Sequence, residues 1–168
     1  MPADTSSAGL TRNAETTLRL RRLLVDLERR VADAMRVNLE PAGLTVEDWA
    51  VLCLLSDGAG HTMTEVTTAA GVPAASATRL VDKLVSNALV HRTVDVRDGR
   101  RVLTVLSPGG AKLHGQLGSG QQQIARLLAA GIGQDALTSL MSALSAADTA
   151  LEAHAGSAEH TAGSLMGT

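Results

Sequence analysis

Aromatic side chains are nearly absent from this 168-residue sequence, which contains one tryptophan, Trp49, and neither phenylalanine nor tyrosine. A hydrophobic core must therefore be built from leucine, valine, alanine and methionine. Proteins that bind single-stranded nucleic acid without sequence preference stack successive bases on aromatic side chains. The lack of such side chains argues against that class of function.

Cysteine is almost as scarce, since Cys53 is the only one. A single thiol excludes an intramolecular disulfide and a zinc site made of several cysteines, and it suits a reducing cytoplasm. The histidines are too scattered in the sequence to propose a metal site, and no cofactor is expected. No apolar run reaches the length of a membrane span, and the polar N-terminal residues do not resemble a signal peptide. We therefore expect a cytoplasmic protein without a membrane partner.

An overall excess of positive charge is also missing, because the formal net charge is −2. The charge is unevenly distributed, however. Cations outnumber acids over residues 61–110, whereas acids outnumber cations over residues 111–168. The cations of the first segment are Arg79, Lys83, Arg92, Arg97, Arg100 and Arg101, against Glu65, Asp82, Asp95 and Asp98. Because salt screens charges beyond about 10 Å at ~0.1 M, a local basic face matters more than the net charge.

Apolar residues at helical spacing predict a first helix over residues 14–40, which is longer than a small domain needs internally. Such a helix usually has more than one partner. The small, polar residues 1–13 are expected to form a flexible arm. Periodicity is lost again near the other end, so residues 154–168 are expected to form a flexible tail.

Two capping boxes predict where the second and third helices begin. Thr45 is a favourable N-cap with Asp48 three residues later, and Thr62 is followed in the same way by Glu65. The second helix is apolar almost all round and should be buried. The third is short and should stop at Gly71.

A fourth helix and a hairpin follow. Pro73 stands in the first turn of the helix, where proline is tolerated, and the predicted buried face consists of Leu80, Val81, Leu84 and Val85. Residues 89–94 and 101–106 read as two short strands. The intervening turn contains Asp98-Gly99, a hairpin signal.

The C-terminal part predicts two more helices over residues 108–153, starting at Ser107-Pro108. Gly115, Gly118 and Gly120 interrupt the first of them, so we expect it to be bent or locally frayed there. The complete order is four helices, a hairpin and two helices. It predicts a mainly α fold with a small β-hairpin wing (α+β), that is, a winged helix-turn-helix.

The wing carries the most specific pattern in the chain. Asp98, Arg100, Leu106, Ser107 and Gly110 match D-x-R-x5-L-T-x-x-G, the wing pattern of the MarR-type (multiple antibiotic resistance) regulators, with serine in place of threonine. The runs 78–84 and 88–90 support the match. Over about residues 15–153 the sequence resembles this family, and it departs from the family's habit in the alanines that follow Pro73 and in Ala88.

The resemblance implies a single MarR-like domain over residues 14–153. Its winged helix would span 45–107, and the N- and C-terminal dimerisation helices would be 14–40 and 108–153. The implied function is a homodimeric transcriptional regulator, most often a repressor in this family. It would bind palindromic double-stranded DNA and be released by a small-molecule effector.

Roles for individual residues follow from groove chemistry once that resemblance is accepted. Ser76, Thr78 and Arg79 lie in the first half of the fourth helix and are expected to contact base edges or phosphates. Lys83 is expected to contact a phosphate. The wing offers Arg97, Arg100 and Arg101 to the minor groove, where the negative potential is enhanced. Asp98 is expected to support the wing by holding Arg100, because a carboxylate is repelled by phosphate.

Simpler interpretations stand beside these roles. Arg100 and Arg101 would also suit a solvated turn, and Ser76 and Thr78 would suit neutral surface positions. For Trp49 and Cys53 the resemblance implies an effector pocket. The local sequence favours a packing role for Trp49 in the core. For Cys53 it favours an inert buried thiol, and a redox switch is the alternative for this residue.

Three classes of function remain to be compared. The regulator is favoured. A dimeric winged-helix interaction protein without specific operator binding would explain the weak basicity and the alanines after Pro73. An enzyme is not expected, because the sequence has no G-x-S-x-G, P-loop or H-E-x-x-H motif.

Overall fold

The computed structural model describes the backbone of residues 5–165 and the side chains of residues 14–154. The described chain consists of six α-helices and one hairpin in the predicted order, which confirms the mainly α class with a β-hairpin. The elements are α1 (Thr5–Leu39), α2 (Val46–Leu54), α3 (Met63–Ala70), α4 (Ala74–Ser86), β1 (Val90–Val94), β2 (Val102–Leu106), α5 (Pro108–Ile132) and α6 (Gln134–Leu165).

Two compact units make up the chain, one up to Ile124 and the other from Ala125 onward. The first contains α1 to α4, the hairpin and the beginning of α5. The second contains the end of α5 and α6. Among the described residues no single helix is long and apolar enough to span a membrane, although α5 and α6 taken together as a bent pair meet the length and composition criteria.

Both terminal helices extend beyond their predicted limits. Helix α1 begins at Thr5 and α6 continues to Leu165, so residues 5–13 and 154–165 are helical where an arm and a tail were expected. The remaining parts of those two predictions, residues 1–4 and 166–168, lie outside the described residues. Neither extension contains a proline, so no residue there lacks the amide hydrogen that a helix needs.

The hydrophobic core of the first unit is aliphatic, as the composition requires. Its members come from α1, α2, α3 and α4, from Leu44 and Leu55 on either side of α2, and from Val90 at the start of the hairpin. Trp49 is buried with 6% exposure. The buried hydrophobic residues of this cluster are Leu39, Leu44, Trp49, Val51, Leu52, Leu55, Val66, Ala70, Val81, Leu84 and Val90.

Both predicted capping boxes are present. The Thr45 hydroxyl accepts a hydrogen bond from the Asp48 amide, and the Asp48 carboxylate accepts one from the Thr45 amide at 2.8 Å. Thr62 and Glu65 are paired in the same way at the start of α3, which ends at Gly71 in the left-handed conformation. The two helix starts are therefore determined by residues three positions apart.

The hairpin is antiparallel, with Val90 opposite Leu106 and Val94 opposite Val102. It is tied to the loop before α3, because His61 and Thr104 exchange backbone hydrogen bonds of 2.9 and 2.7 Å. Thr104 itself is 2% exposed. The hairpin is thus anchored at its second strand, and its turn is left at the surface.

A tight junction joins the end of α4 to the start of α5. The Ser107 hydroxyl donates to the Ala88 carbonyl at 2.6 Å and accepts from the Gly110 amide at 2.9 Å, so it caps α5. Ala88 has a φ of 56°, a left-handed conformation that favours glycine. A β-carbon at Gly110 would lie 2.1 Å from the Leu89 carbonyl oxygen, so only glycine fits there.

Helix α5 is continuous from Pro108 to Ile132 despite its glycines, so the local fraying expected from them is absent. At Gly120 a β-carbon would lie 2.9 Å from the side chain of Asn38 near the end of α1. The Gln121 side-chain amide donates to the Met35 carbonyl at 3.4 Å one residue further on. The missing side chain at Gly120 thus allows a close approach of two helices, which offsets its weak helix propensity.

Candidate nucleic-acid interface

Helix α4 presents a polar surface opposite an apolar one. Ala77, Val81 and Leu84 are fully buried, whereas Ser76, Thr78 and Arg79 are exposed. The prediction that Val85 belongs to the buried face is wrong, since this side chain is 36% exposed. Ala77 takes its place. Burial of this one stripe orients the helix, so the polar residues point outward.

The first turn of α4 is uncharged and carries few hydrogen-bonding groups. Pro73 precedes the helix, its carbonyl accepts the amides of Ser76 and Ala77, and Ala74 and Ala75 are exposed. The Thr78 hydroxyl donates to the Ala74 carbonyl at 3.1 Å. Its single proton is therefore engaged, and its oxygen faces the surroundings as an acceptor.

The tip of the wing presents three exposed arginines, Arg97, Arg100 and Arg101. Two aspartates lie among them, but they bind the backbone of the turn. Asp95 accepts a hydrogen bond from the Arg97 amide at 2.8 Å, and Asp98 accepts one from the Arg100 amide at 3.1 Å. Asp98 thus contacts Arg100 through its backbone, and the guanidinium is not part of this contact.

Lys83 has a partner that sequence reasoning missed. Its ammonium group is hydrogen-bonded to the carboxylate of Asp48, a residue with 1% exposure at the start of α2. The same carboxylate completes the capping box with Thr45. No local signal pairs these residues, because they are 35 positions apart. Asp48 joins the N-terminus of α2 to α4.

Arg92 is paired as well. Its guanidinium lies 2.8 Å from the Asp82 carboxylate, which links β1 to α4. Residues 61–110 are described in full, and four of the six cations there, Arg79, Arg97, Arg100 and Arg101, form no side-chain hydrogen bond or ion pair with another described residue. The unpaired cations are those of the exposed side of α4 and of the wing tip.

These residues form two groups on the surface. Ser76, Arg79 and Lys83 line one cavity of about 340 Å³, together with Asp48. Arg97 and Arg101 line a second cavity of about 370 Å³, which also contains Glu65 and Asp95. Three of the four predicted residues of α4 and two of the three arginines of the wing are thus brought together, whereas Thr78 and Arg100 line neither cavity.

His61 lies between two carboxylates near the second group. Its ring Nε2 lies 2.9 Å from the Asp57 carboxylate and its Nδ1 lies 3.7 Å from that of Glu65. Hydrogen bonds from the Ala59 amide and from His61 hold the pKa of the Asp57 carboxyl below its ordinary value. Hydrogen bonds from the Thr62 hydroxyl and amide lower the pKa of Glu65. Both carboxylates stabilise the turn that precedes α3.

The two residues predicted for an effector pocket lie in different environments. Trp49 is part of the core and stacks on His114 of α5, with ring centroids 4.8 Å apart and planes inclined by 16°. Cys53 is exposed, which corrects its interpretation as a buried thiol. It lies on the side of α2 turned away from the core, although partial burial by its neighbours still raises the pKa of the thiol. Within the described side chains no cluster of histidine, cysteine and acidic groups is suited to hold a metal ion.

Residues 42–101 match the model of the MarR family. Comparison with the sequences of curated proteins gave no significant match. Among solved structures, CouR from Rhodococcus jostii RHA1 bound to p-coumaroyl-CoA is 26% identical, with a TM-score of 0.68, covering 73% of this chain and 86% of CouR.

Two further solved structures are complexes with DNA. A cysteine-to-serine mutant of MarR from E. coli, complexed with operator DNA, is 27% identical with a TM-score of 0.67 and covers 77% of this chain and 93% of its own. The S. aureus MepR–DNA complex has a TM-score of 0.68 at 20% identity, covering 77% of this chain and 96% of MepR. At that identity the likeness to MepR concerns the fold alone.

Proposed function

We propose that this chain, which resembles the MarR family over residues 42–101 and shares the winged helix-turn-helix fold, is a transcriptional regulator that binds a palindromic operator as a homodimer. The observation that carries the proposal is the set of unpaired cations described above. Arg79 on α4 and Arg97, Arg100 and Arg101 on the wing are exposed, whereas Lys83 and Arg92 beside them are neutralised by carboxylates. The phosphate backbone of DNA binds such exposed, unpaired arginines, because no internal ion pair has to be broken first.

Helix α4 enters the major groove in this proposal. Its exposed Ser76, Thr78 and Arg79 reach base edges or phosphates from the first half of the helix. Lys83 is left out of the contact set, because its ammonium group is bound to Asp48. Arg79 is then the one cation of α4 that contacts DNA.

The wing enters the adjacent minor groove. Arg97, Arg100 and Arg101 carry their charge into a groove with an enhanced negative potential. Asp95 and Asp98 hold the turn through its amides, so the turn keeps its shape while the guanidinium groups stay available. In this proposal Asp98 supports the wing through the Arg100 amide and does not hold the Arg100 guanidinium group.

Homodimerisation is supported by large apolar side chains that are exposed among the described residues of each unit. Helix α1 exposes seven large hydrophobic side chains, Leu18, Leu20, Leu23, Leu24, Val25, Leu27 and Val37. In α5 and α6 the exposed ones include Leu127, Ile132, Leu140, Met141 and Leu151. Exposed apolar surface of this kind marks an interaction site. Two protomers would place their α4 helices about one DNA turn, ~34 Å, apart.

We further propose that a small molecule releases the regulator from DNA. The support is CouR, which was solved with a coenzyme A ester. A ligand can shift the protein between two forms only by its differential affinity for them. A regulator of this kind acts on DNA in the cytoplasm, and no catalytic group is assigned to it.

The test uses the full chain and a duplex with the inverted repeat that flanks its gene. A duplex of the same composition without the repeat is the control. We expect preferential binding of the first duplex by two chains, with an affinity that falls steeply with salt, by a log–log slope near −0.9 for each neutralised phosphate. Arg100→Gln should weaken binding, whereas the exposed Arg126→Gln on α5 should not.

Equal binding of both duplexes would instead favour an interaction protein without specific operator binding. The observation that favours this second function is the exposure of alanines in the first turn of α4, which carry no group that can hydrogen-bond to bases. A monomeric chain that binds neither duplex would contradict the proposal as a whole.

A further inference from the structure

A third cavity, of about 280 Å³, lies between α3 and α4 and differs in chemistry from the other two. It is lined by Met63, Thr64, Thr67 and Thr68 of α3 and by Ala74 and Thr78 of α4. None of these residues is charged. The other two cavities contain Arg79 and Lys83 in one case, and Arg97 and Arg101 in the other. We call this uncharged cavity the threonine groove.

The hydroxyl groups of the threonine groove have a defined orientation. Each of three threonines donates its proton to the carbonyl four residues earlier in its own helix. The distances are 2.7 Å for Thr67, and 3.1 Å for both Thr68 and Thr78. A hydroxyl has one proton, so these oxygens are left as acceptors. The groove therefore presents acceptor oxygens among the methyl groups of threonine and alanine and the thioether of Met63.

This combination is unsuited to a phosphate. A phosphate oxygen accepts hydrogen bonds, and it binds where amides, hydroxyl protons or cations are directed at it. The threonine groove has no cation, and three of its hydroxyl protons are directed into the helices. Base edges are the alternative that DNA offers to a helix lying in its major groove.

An A·T pair has the matching chemistry in the major groove. Thymine exposes its C5 methyl group there, and adenine exposes the N6 amino group, which is a donor. The methyl groups that line the threonine groove can pack against the thymine methyl group. The acceptor oxygens of its threonines can accept a hydrogen bond from the adenine amino group. A G·C pair offers an amino group on cytosine but no methyl group, so the methyl group decides between the two pairs.

We propose that the threonine groove binds the C5 methyl group of one thymine in each half of the operator and thereby determines specificity at that position. Thr78 is the central residue, because it contributes both a methyl group and an acceptor oxygen from the recognition helix. The residues of α3 that line the groove extend the surface in contact with base edges beyond α4. This inference rests on the proposed function, since it requires that α4 lie in the major groove.

Uracil provides the test, because it differs from thymine only by the missing methyl group. Duplexes bound by the full chain would first be selected from a random pool, and each thymine of the resulting consensus would then be replaced by uracil. We expect one replacement in each half-site to weaken binding about fourfold, which corresponds to removing one methyl-sized group from a buried site. The other replacements should have little effect.

Two substitutions at one position then assign the effect to the groove. Thr78→Ser removes the methyl group and keeps the hydroxyl, so the preference for thymine over uracil should shrink towards one. Thr78→Val keeps the methyl group and removes the acceptor, so that preference should persist. Arg79→Gln is the matched control outside the groove, and it should weaken thymine and uracil duplexes equally.

The possible outcomes separate the inference from the proposed function. If the wild-type chain selects no sequence from the pool, the proposed function itself fails. If it selects a sequence but every uracil duplex binds as tightly as its thymine parent, the regulator stands and the groove does not read a methyl group. A preference that Thr78→Ser leaves unchanged would also overturn the inference, and a phosphate in the groove would make all uracil replacements silent.

Discussion

The ammonium group of Lys83 and the carboxylate of Asp48 form an ion pair that joins α4 to the start of α2. Asp48 is 1% exposed and also caps α2 through Thr45, whereas the Lys83 side chain is 41% exposed. The pair is therefore buried at one end only. Two of the predictions below follow from this relationship.

Removing one partner should destabilise the fold, because it leaves a buried carboxylate without its cation. We expect Lys83→Met to lower the free energy of unfolding by about 1–2 kcal/mol, less than for a fully buried pair because the ammonium group is partly solvated. Urea unfolding measures the effect, and Lys112→Met, at an exposed position of α5, is the control. In a double-mutant cycle with Asp48→Asn the two losses should not add. Equal stability of the Lys83 and Lys112 variants would show that the ion pair contributes nothing.

Salt dependence of DNA binding should distinguish Lys83 from Arg79, although both lie on α4. Arg79 has no internal partner among the described residues, so Arg79→Gln should reduce the slope of log affinity against log salt by about 0.9 for each of the two protomers. Lys83→Met should lower affinity through the position of α4 and leave that slope unchanged. Fluorescence anisotropy between low and moderate salt measures both. If Lys83→Met also reduced the slope by one phosphate, its ammonium group would contact DNA after all.

Two glycines of α5 should respond to alanine in opposite directions. At Gly110 the new β-carbon would meet the Leu89 carbonyl oxygen at 2.1 Å, and a backbone atom cannot move aside at low cost. Gly110→Ala should destabilise the chain by about 1–3 kcal/mol, the range for an overpacked site. At Gly115 no atom lies within 4 Å of the place that a β-carbon would occupy, so Gly115→Ala should stabilise the chain by about 0.5–1 kcal/mol. Thermal unfolding of both variants checks the contrast, which fails if they shift in the same direction.

Replacing Ala88 by glycine should increase the stability of the fold. Its φ of 56° lies in the left-handed region, where an alanine side chain is strained by about 1 kcal/mol or more. Ala88→Gly should therefore stabilise the chain by about 1 kcal/mol, less the entropy that glycine loses on folding. Because the Ala88 carbonyl accepts the Ser107 hydroxyl, the junction with α5 should be kept. Ala111→Gly, inside the first turns of α5, is the control and should destabilise.

Stability should depend on the ionisation of Glu65. Its pKa is lowered from the ordinary 4.5 by the Thr62 hydroxyl and amide. A lowered pKa in the folded state means that the stabilisation is fully present above the unfolded pKa and is lost as pH falls through the folded pKa. Glu65→Gln should therefore lower the melting temperature at pH 7, and the difference from wild type should shrink below about pH 4.5. The exposed Glu152→Gln serves as the control, and a difference that persists unchanged in acid would contradict the prediction.

Local signals were sufficient for the order of elements and for most of their starts. Thr45 with Asp48 and Thr62 with Glu65 lie three residues apart, so the sequence already contains both partners of each capping box. The hairpin also follows from its own turn residues, with strand limits within one residue of those predicted. The exposed Ser76, Thr78 and Arg79 likewise follow from the apolar stripe on the other side of α4. These features depend on neighbours in the chain, which periodicity and spacing describe.

Long-range contacts decided the rest. The neutralisation of Lys83 by Asp48 and of Arg92 by Asp82, the exposure of Cys53 on an otherwise apolar helix, and the fit of Gly120 against Asn38 all depend on which elements meet in space. An ion pair forms only when two side chains come within a few ångströms, and residues 35 positions apart carry no local sign of that approach. The residue types thus indicate which side chains are candidates for contacts with DNA. The packing determines which of these side chains have no ion-pair partner within the described residues.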